Sequence, residues 1–146
     1  MDLKSFAKVN LYLQVINKRP DNYHSIRTVF ERISLFDSIT LRNRRDNAIT
    51  VSSDDKSLPV GEGNLCFKAA KLLQNKFSPL RGLDIKIIKR IPIGAGLGGG
   101  SSNAAVVLLG LNKLWGLRLS RDRLAKLAVS IGSDVPFFIY EKPFAY

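Results

Sequence analysis

The chain has 146 residues, of which 45% are hydrophobic and 24% are charged, a composition typical of one globular domain that can bury a core. One cysteine and one histidine exclude an internal disulfide and a Cys/His metal site, and no apolar run approaches the roughly 20 residues that a membrane-spanning helix needs. The net charge of +11 favours anionic partners such as nucleotides, phosphate esters or nucleic acid. No apolar signal segment follows Met1, so we expect a cytoplasmic protein, or a protein of the plastid stroma if the source is a plant.

The first part of the chain has the pattern of β-strands. Apolar and polar residues alternate from Val9 to Val15, which predicts a strand with one face toward the core. Lys8 and Asn10 would then project together from the opposite face, unless that face is simply solvated. Three further extended runs are predicted at 25–35, 38–41 and 47–51, followed by a loop over 52–63.

Helices dominate the later part of the chain. Leu65, Ala69, Leu72 and Leu73 recur at helical spacing, and Asn64 is placed to cap that helix. After a strand at 83–88, a helix is predicted over 103–115 and ended by Gly116, and another over 121–131 capped by Ser120. Residues 137–140 have the pattern of a further strand. Strands first and helices later indicate an α+β fold.

The most informative segment is residues 92–102, hereafter the glycine loop, which contains five glycines between a predicted strand and a predicted helix. Backbone N–H groups of such a loop can approach an anion closely, and the helix that follows adds its positive end. The segment therefore predicts a phosphate-binding loop. A flexible linker is the alternative, but linkers do not continue directly into so apolar a helix.

Two well-known nucleotide-binding motifs do not fit this segment. The P-loop pattern needs a lysine that the glycine loop lacks. Gly94, Gly96 and Gly99 match a dinucleotide fingerprint, but no acidic residue lies about 20 positions further on to bind the ribose. Ser101 and Ser102 could bind phosphate oxygens or Mg²⁺, could cap the helix, or could do both.

Residues 92–105 resemble the ATP-binding motif of the GHMP kinases, and residues 7–11 resemble that family's N-terminal motif. With 19–24 and 132–137 they make four segments in the order found in one member of the family, and the resemblance extends over nearly the whole chain. The resemblance implies an antiparallel-rich mixed sheet with helices packed on one face, as in the family's N-terminal domain, over residues 1–146. It also implies a second, C-terminal domain that these residues lack. Phe137, Phe138, Phe144 and Tyr146 would then be candidates for a surface that the second domain covers.

The resemblance assigns functional roles to particular residues. Lys8 and Asp134 would be catalytic: Asp134 accepts or orients the substrate hydroxyl, and Lys8 offsets charge on the transferred phosphoryl group. ATP would bind with Mg²⁺, for which no ligand is certain. The ATP-binding residues would be Pro92, Ile93, Gly94, Ala95, Gly96, Leu97, Gly98, Gly99, Gly100, Ser101 and Ser102.

The substrate implied by the resemblance is a cytidine-diphosphate-linked methylerythritol of the non-mevalonate route to isoprenoids. Tyr23 would stack on the cytosine, His24 would bind its edge, and Asn10 would bind the substrate. Residue types alone leave other interpretations open: a capping role for Asp134, and structural roles for His24 and Tyr23.

Two other functions remain as alternatives. One is a related kinase acting on another small alcohol, such as mevalonate or homoserine, which would give Tyr23 and His24 no base to bind. The other is a basic nucleic-acid-binding domain, with Arg42, Arg44 and Arg45 as its patch. We expect no nucleic-acid or membrane partner, and basic residues placed around the glycine loop would favour the kinase.

Overall fold

The computed structural model describes residues 1–18, 24–77 and 80–145. Its sheet contains β1 (Asp2–Lys18), β2 (His24–Arg44), β3 (Ile49–Ser53) and β4 (Gly82–Ile88) in the spatial order β1-β2-β4-β3, with the short β5 (Phe144–Ala145) also on β2. All pairs are antiparallel except β3–β4, which is parallel. The sheet is therefore mixed and rich in antiparallel pairs, as predicted.

Four helices complete the described part of the fold: α1 (Leu65–Phe77), α2 (Gly99–Leu114), α3 (Arg121–Ala128) and α4 (Val135–Ile139). The core lies between the sheet and the packed pair α1 and α2. Leu83, Ile85 and Ile87 of β4 point into this core, while Asp84 and Lys86 alternate onto the other face. The fold is α+β, as expected.

Helix α2 lies unusually close to the sheet at Gly110. A Cβ at this position would lie 2.5 Å from Cδ1 of Leu41 and 2.8 Å from Cδ1 of Leu3. Glycine therefore lets the helix backbone approach the two side chains, and this contact fixes α2, with the glycine loop before it, against β1 and β2.

The two long strands differ from the sequence prediction in two ways. Residues 25–35 and 38–41 belong to one strand, β2, and the register with β1 shifts where residues 33–35 lie opposite Ala7. The side chains of Leu11, Leu13 and Val15 are 56–59% exposed, so the prediction that they face the core is wrong. Helix α2 packs on the part of the sheet near the start of β1, and the rest of β1 extends beyond it as a ribbon with β2.

Local signals located the helix ends better than the strand faces. Asn64 Oδ1 accepts from Cys66 N at 2.8 Å, Ser120 caps α3, and Gly116 follows α2 with φ of +67°. However, α2 begins at Gly99 rather than at residue 103, so the last part of the glycine loop is already helical.

The predicted strand at 137–140 is wrong, because residues 137–139 belong to α4 and Tyr140 is its C-cap. Phe137 and Phe138 are 8% and 6% exposed, and Phe137 packs on Phe30 with ring centroids 5.0 Å apart. They are core residues and not the exposed surface that we expected. Only the backbone of Phe144 is described, and Tyr146 lies outside the described residues. None of the described helices is long and apolar enough to cross a membrane.

Candidate active site

The glycine loop connects β4 to α2 and owes its shape to three residues with positive φ, Gly94 (+74°), Gly96 (+73°) and Gly98 (+69°). Gly98 is the N-cap of α2, and Ser102 N donates to its carbonyl at 2.8 Å. The N–H groups of Gly99, Gly100 and Ser101 precede that bond, and helix geometry gives them no acceptor within the helix. The loop thus ends in a cluster of amide donors at a positive helix end, which suits an anion.

The serines have different positions, and neither caps α2 through its side chain. Ser101 lines the cavity beside the loop. Ser102 is buried, and its hydroxyl lies 2.7 Å from that of Ser5 on β1. Capping as their role is therefore wrong, and the hydroxyl of Ser102 holds α2 to the sheet.

Lys8 reaches the glycine loop from β1. Its N–H donates to Leu97 O at 2.9 Å, and its side chain is buried, with Nζ 4.8 Å from the centre of the Phe30 ring. Lys8 is only 5% exposed, so a solvated strand face is excluded. The register shift before Lys8 places both Ala7 and Lys8 in buried positions, which simple alternation does not allow.

The structure brings Lys8 and Asp134 together. Lys8 Nζ lies 3.9 Å from Asp134 Oδ2 and donates to Asn10 Oδ1 at 2.6 Å. Asp134 precedes α4 without capping it through its side chain, so the capping interpretation is wrong. With 35% of its side chain exposed, its carboxylate is open to the cavity that the glycine loop also lines.

Asn10 has two polar partners and is held by the neighbouring strand. Its Nδ2 donates to Thr28 Oγ1 at 2.7 Å, and Thr28 in turn donates to Tyr12 O. Asn10 therefore orients the Lys8 ammonium, and its position at the cavity leaves a substrate contact as a prediction. Tyr23 lies outside the described residues, and His24 is described only by its backbone, as the first residue of β2.

These groups share one cavity of about 590 Å³. Every predicted ATP-binding residue except Ser102 lines it, together with Lys8, Asn10 and Asp134. Sequence reasoning missed seven residues at or beside this site: Leu13, Phe30, Asp37, Leu58, Leu65, Lys89 and Asn103. A charged residue within an apolar strand was the available signal for Asp37.

The basic residues favour a site at the loop rather than at the 42–45 cluster. Lys8 and Lys89 line the cavity. Arg44 is paired with Asp46 and Asp84, each at 2.7 Å, at the far end of β2. No group of three or more His, Cys, Asp or Glu side chains able to hold a metal occurs within the described ranges. Mg²⁺ in phosphoryl-transfer sites is bound largely through substrate phosphates and one or two carboxylates, so the Asp134 carboxylate that lines the cavity fits such a metal.

A sheet covered by helices on one face, with a glycine loop entering α2 and a Lys–Asp pair beside it, is an arrangement suited to binding a phosphate next to an acidic and a basic side chain. Residues 64–142 match the GHMP kinases N terminal domain, and the chain belongs to this family.

The sequence of the chain is similar over nearly its whole length to curated proteins that share one name. It is 46% identical over 141 residues to a 4-diphosphocytidyl-2-C-methyl-D-erythritol kinase of Clostridioides difficile, covering 97% of this chain and 48% of that protein. It is also 46% identical to the kinase of that name from Chlorobium chlorochromatii, over 100% of this chain and 50% of that protein. The chain thus spans about half the length of the curated relatives it matches.

Solved structures agree with the fold. A crystal structure of 4-(cytidine 5'-diphospho)-2C-methyl-D-erythritol kinase superposes with a TM-score of 0.79 at 39% identity, covering 97% of this chain and 50% of that one. A mevalonate kinase structure superposes with a TM-score of 0.68 at 18% identity over 94% of this chain and 47% of that one, which is a likeness of fold alone.

Proposed function

We propose that this chain is the nucleotide-binding part of an enzyme that transfers the γ-phosphoryl group of ATP to a hydroxyl of 4-diphosphocytidyl-2-C-methyl-D-erythritol. The observation that carries the proposal is the Lys8–Asp134 pair, 3.9 Å apart, in the cavity lined by the glycine loop. The activity named for relatives at 46% identity supports the choice of substrate.

The loop would bind the triphosphate through backbone N–H groups. Glycines at 94, 96 and 98 permit the close approach of phosphate oxygens, and the first turn of α2 supplies further donors. Mg²⁺, when bound, would neutralise charge on the phosphates. Ser101, which lines the cavity, is the hydroxyl placed to bind either phosphate or metal.

Asp134 would orient the substrate hydroxyl and accept its proton as the oxygen bonds to phosphorus and the bond to ADP breaks. The Lys8 ammonium would offset the negative charge that this step concentrates between carboxylate and phosphate. Asn10 supports that role, because it holds Nζ at 2.6 Å from its own oxygen. Tyr23 and His24 remain the proposed contacts to cytosine.

The enzyme would need a second domain to complete the substrate pocket and exclude water, since the relatives are about twice as long. The exposed apolar side chains of Leu11, Leu13 and Val15 on the β1–β2 ribbon support this, because clustered exposed apolar side chains mark surfaces that other parts of a protein cover. We expect this chain alone to be a poor kinase. We also propose a cytoplasmic location.

The test is turnover by a chimera in which the second half of the Clostridioides difficile relative follows Tyr146. ADP release is measured with the cytidyl alcohol, with mevalonate and with homoserine, and phosphorus NMR identifies the product. We expect turnover with the cytidyl alcohol alone, and loss of it in Asp134→Asn. A folded chimera that phosphorylates mevalonate or homoserine instead would refute the substrate but keep the kinase.

A further inference from the structure

Asp37 is a fully buried carboxylate that receives four hydrogen bonds, all from residues that flank the glycine loop. Its Oδ1 accepts from the backbone N–H groups of Arg90 at 2.7 Å and Ile91 at 2.8 Å. Its Oδ2 accepts from Lys89 Nζ at 2.5 Å and from Asn103 Nδ2 at 3.0 Å.

The four donors to Asp37 come from both sides of the glycine loop in the sequence. Residues 89–91 lie directly before the glycine loop, and Asn103 lies in α2 directly after it. One side chain of β2 therefore holds both ends of the loop. Between these ends, Leu97 O is bound to Lys8 N at 2.9 Å.

The hydrogen bonds to Asp37 fix the position of the loop ends more than they stabilise the fold. A buried ion pair such as Asp37–Lys89 adds little net stability over a well-packed apolar pair, because both charges lose their hydration. A carboxylate with two oxygens can, however, accept several donors at once in fixed directions. An apolar side chain at position 37 could fill the space but could not bind the two ends of the loop.

We infer that Asp37 is a positioning residue for the glycine loop, which it holds in the nucleotide-binding shape before any nucleotide arrives. This inference rests on the proposed function only for the identity of the ligand. Without Asp37 the loop would have to be ordered during binding, and the entropy of that ordering would weaken the affinity for nucleotide.

The experiment uses the 146-residue chain and the variant Asp37→Asn. Amide hydrogen exchange of residues 93–98 is followed by NMR without nucleotide, and the Kd for MgADP is measured by calorimetry well below the melting temperature. We expect loop exchange at least about tenfold faster and a Kd raised about 10- to 100-fold, the change that losing one hydrogen bond to a charged group brings. A role in stability alone would lower the melting temperature and leave both readouts unchanged.

Asn103→Leu is the second variant, because it removes only the donor on the helix side. The Oδ1 of Asn103 is buried and has no hydrogen-bond partner among the described residues, so an apolar replacement of similar length leaves no new unpaired group. We expect loop exchange and the Kd for MgADP to rise, but less than in Asp37→Asn. If Asp37→Asn does not fold, Asn103→Leu alone tests the inference.

The matched control is Asp84→Asn. Asp84 also accepts from two side chains, Arg44 and Thr50, but it lies roughly 13 Å along β4 from Ile88 by the usual rise of a strand. It should leave loop exchange and Kd unchanged. Unchanged exchange in both Asp37→Asn and Asn103→Leu would overturn the inference. A wild-type chain that fails to bind MgADP would refute the proposed function instead, with the exchange data still testing Asp37.

Discussion

Gly98 and Lys8 fit against each other so closely that a Cβ added at Gly98 would require the neighbouring side chains to shift by a few tenths of an ångström. A Cβ on Gly98 would lie 3.1 Å from Cγ of Lys8 and 3.0 Å from Cζ of Phe138, and Gly98 has φ of +69°. The N-cap residue of α2 is thus also the residue that sets how close the proposed catalytic lysine comes to the glycine loop.

Gly98→Ala should destabilise the fold for two reasons. An alanine at positive φ costs about 1–2 kcal/mol. The contacts with Lys8 and Phe138 should add about 1–3 kcal/mol of overpacking and displace the Lys8 ammonium. Urea denaturation measures the total.

Gly94→Ala is the matched control for Gly98→Ala. Gly94 has φ of +74°, but nothing lies within 4 Å of an added Cβ. It should therefore lower the free energy of unfolding by the backbone contribution alone. Equal losses in the two variants would show that the packing around Gly98 yields easily.

Removing either member of the Lys8–Asp134 pair should lower kcat in the chimera. For Asp134→Asn we expect kcat to fall about 100- to 10,000-fold, which is the usual contribution of a positioned acid or base. For Lys8→Met we expect kcat to fall about 100- to 1,000-fold, as it does when one group that stabilises transition-state charge is lost. Steady-state kinetics should show the loss mainly in kcat, with KM for ATP less affected.

Lys4→Met is the control for the lysine variant. Lys4 lies on the same strand with its Nζ 4.7 Å from the centre of the Phe36 ring, and it does not line the cavity. It should leave kcat within about twofold of the parent. If Lys8→Met did no more than Lys4→Met, the catalytic role of Lys8 would be wrong.

Cys66 should be unreactive in the native chain. Burial raises the pKa of its thiol to about 12, so at pH 8 the thiolate is about three orders of magnitude scarcer than in an unfolded chain. Reaction with a disulfide reagent should be slow in buffer and fast in denaturant. Rapid stoichiometric labelling of the native chain would contradict the buried position of this thiol.

The same pKa gives the sign of a stability change with pH. Between about pH 9 and the folded value of about 12, the unfolded thiol loses its proton while the folded thiol keeps it. This group therefore favours unfolding increasingly as pH rises through that range. Comparing Cys66→Ala with the parent across it should show the parent losing stability more steeply.

The exposed apolar side chains of Leu11, Leu13 and Val15 should tolerate polar substitution. Leu13→Ser should change the free energy of unfolding by less than about 0.5 kcal/mol, because the side chain is exposed, and should reduce light scattering. Leu41→Ala, in the core, should cost about 2–5 kcal/mol. A large loss of unfolding free energy in Leu13→Ser would mean that Leu13 already packs against other parts of the chain.

The sequence by itself determined the features that depend on a few neighbouring residues. Asn64 and Ser120 cap helices and Gly116 follows the end of one, because capping bonds and positive φ involve groups only two or three positions apart. The glycine loop could be located for the same reason, and the resemblance carried by four ordered motifs supplied the family.

The tertiary structure alone decided which residues meet and which faces are buried. Residues 137–139 are helical and Phe137 packs on Phe30, a tertiary contact that strand propensity could not reveal. Alternation in β1 predicted core positions for Leu11, Leu13 and Val15 that are exposed, since burial depends on how far along β1 helix α2 reaches and not on the period of the strand. The Lys8–Asp134 pair and the four bonds to Asp37 join residues far apart in sequence. Their distances follow from how the sheet and helices pack, which no local pattern encodes.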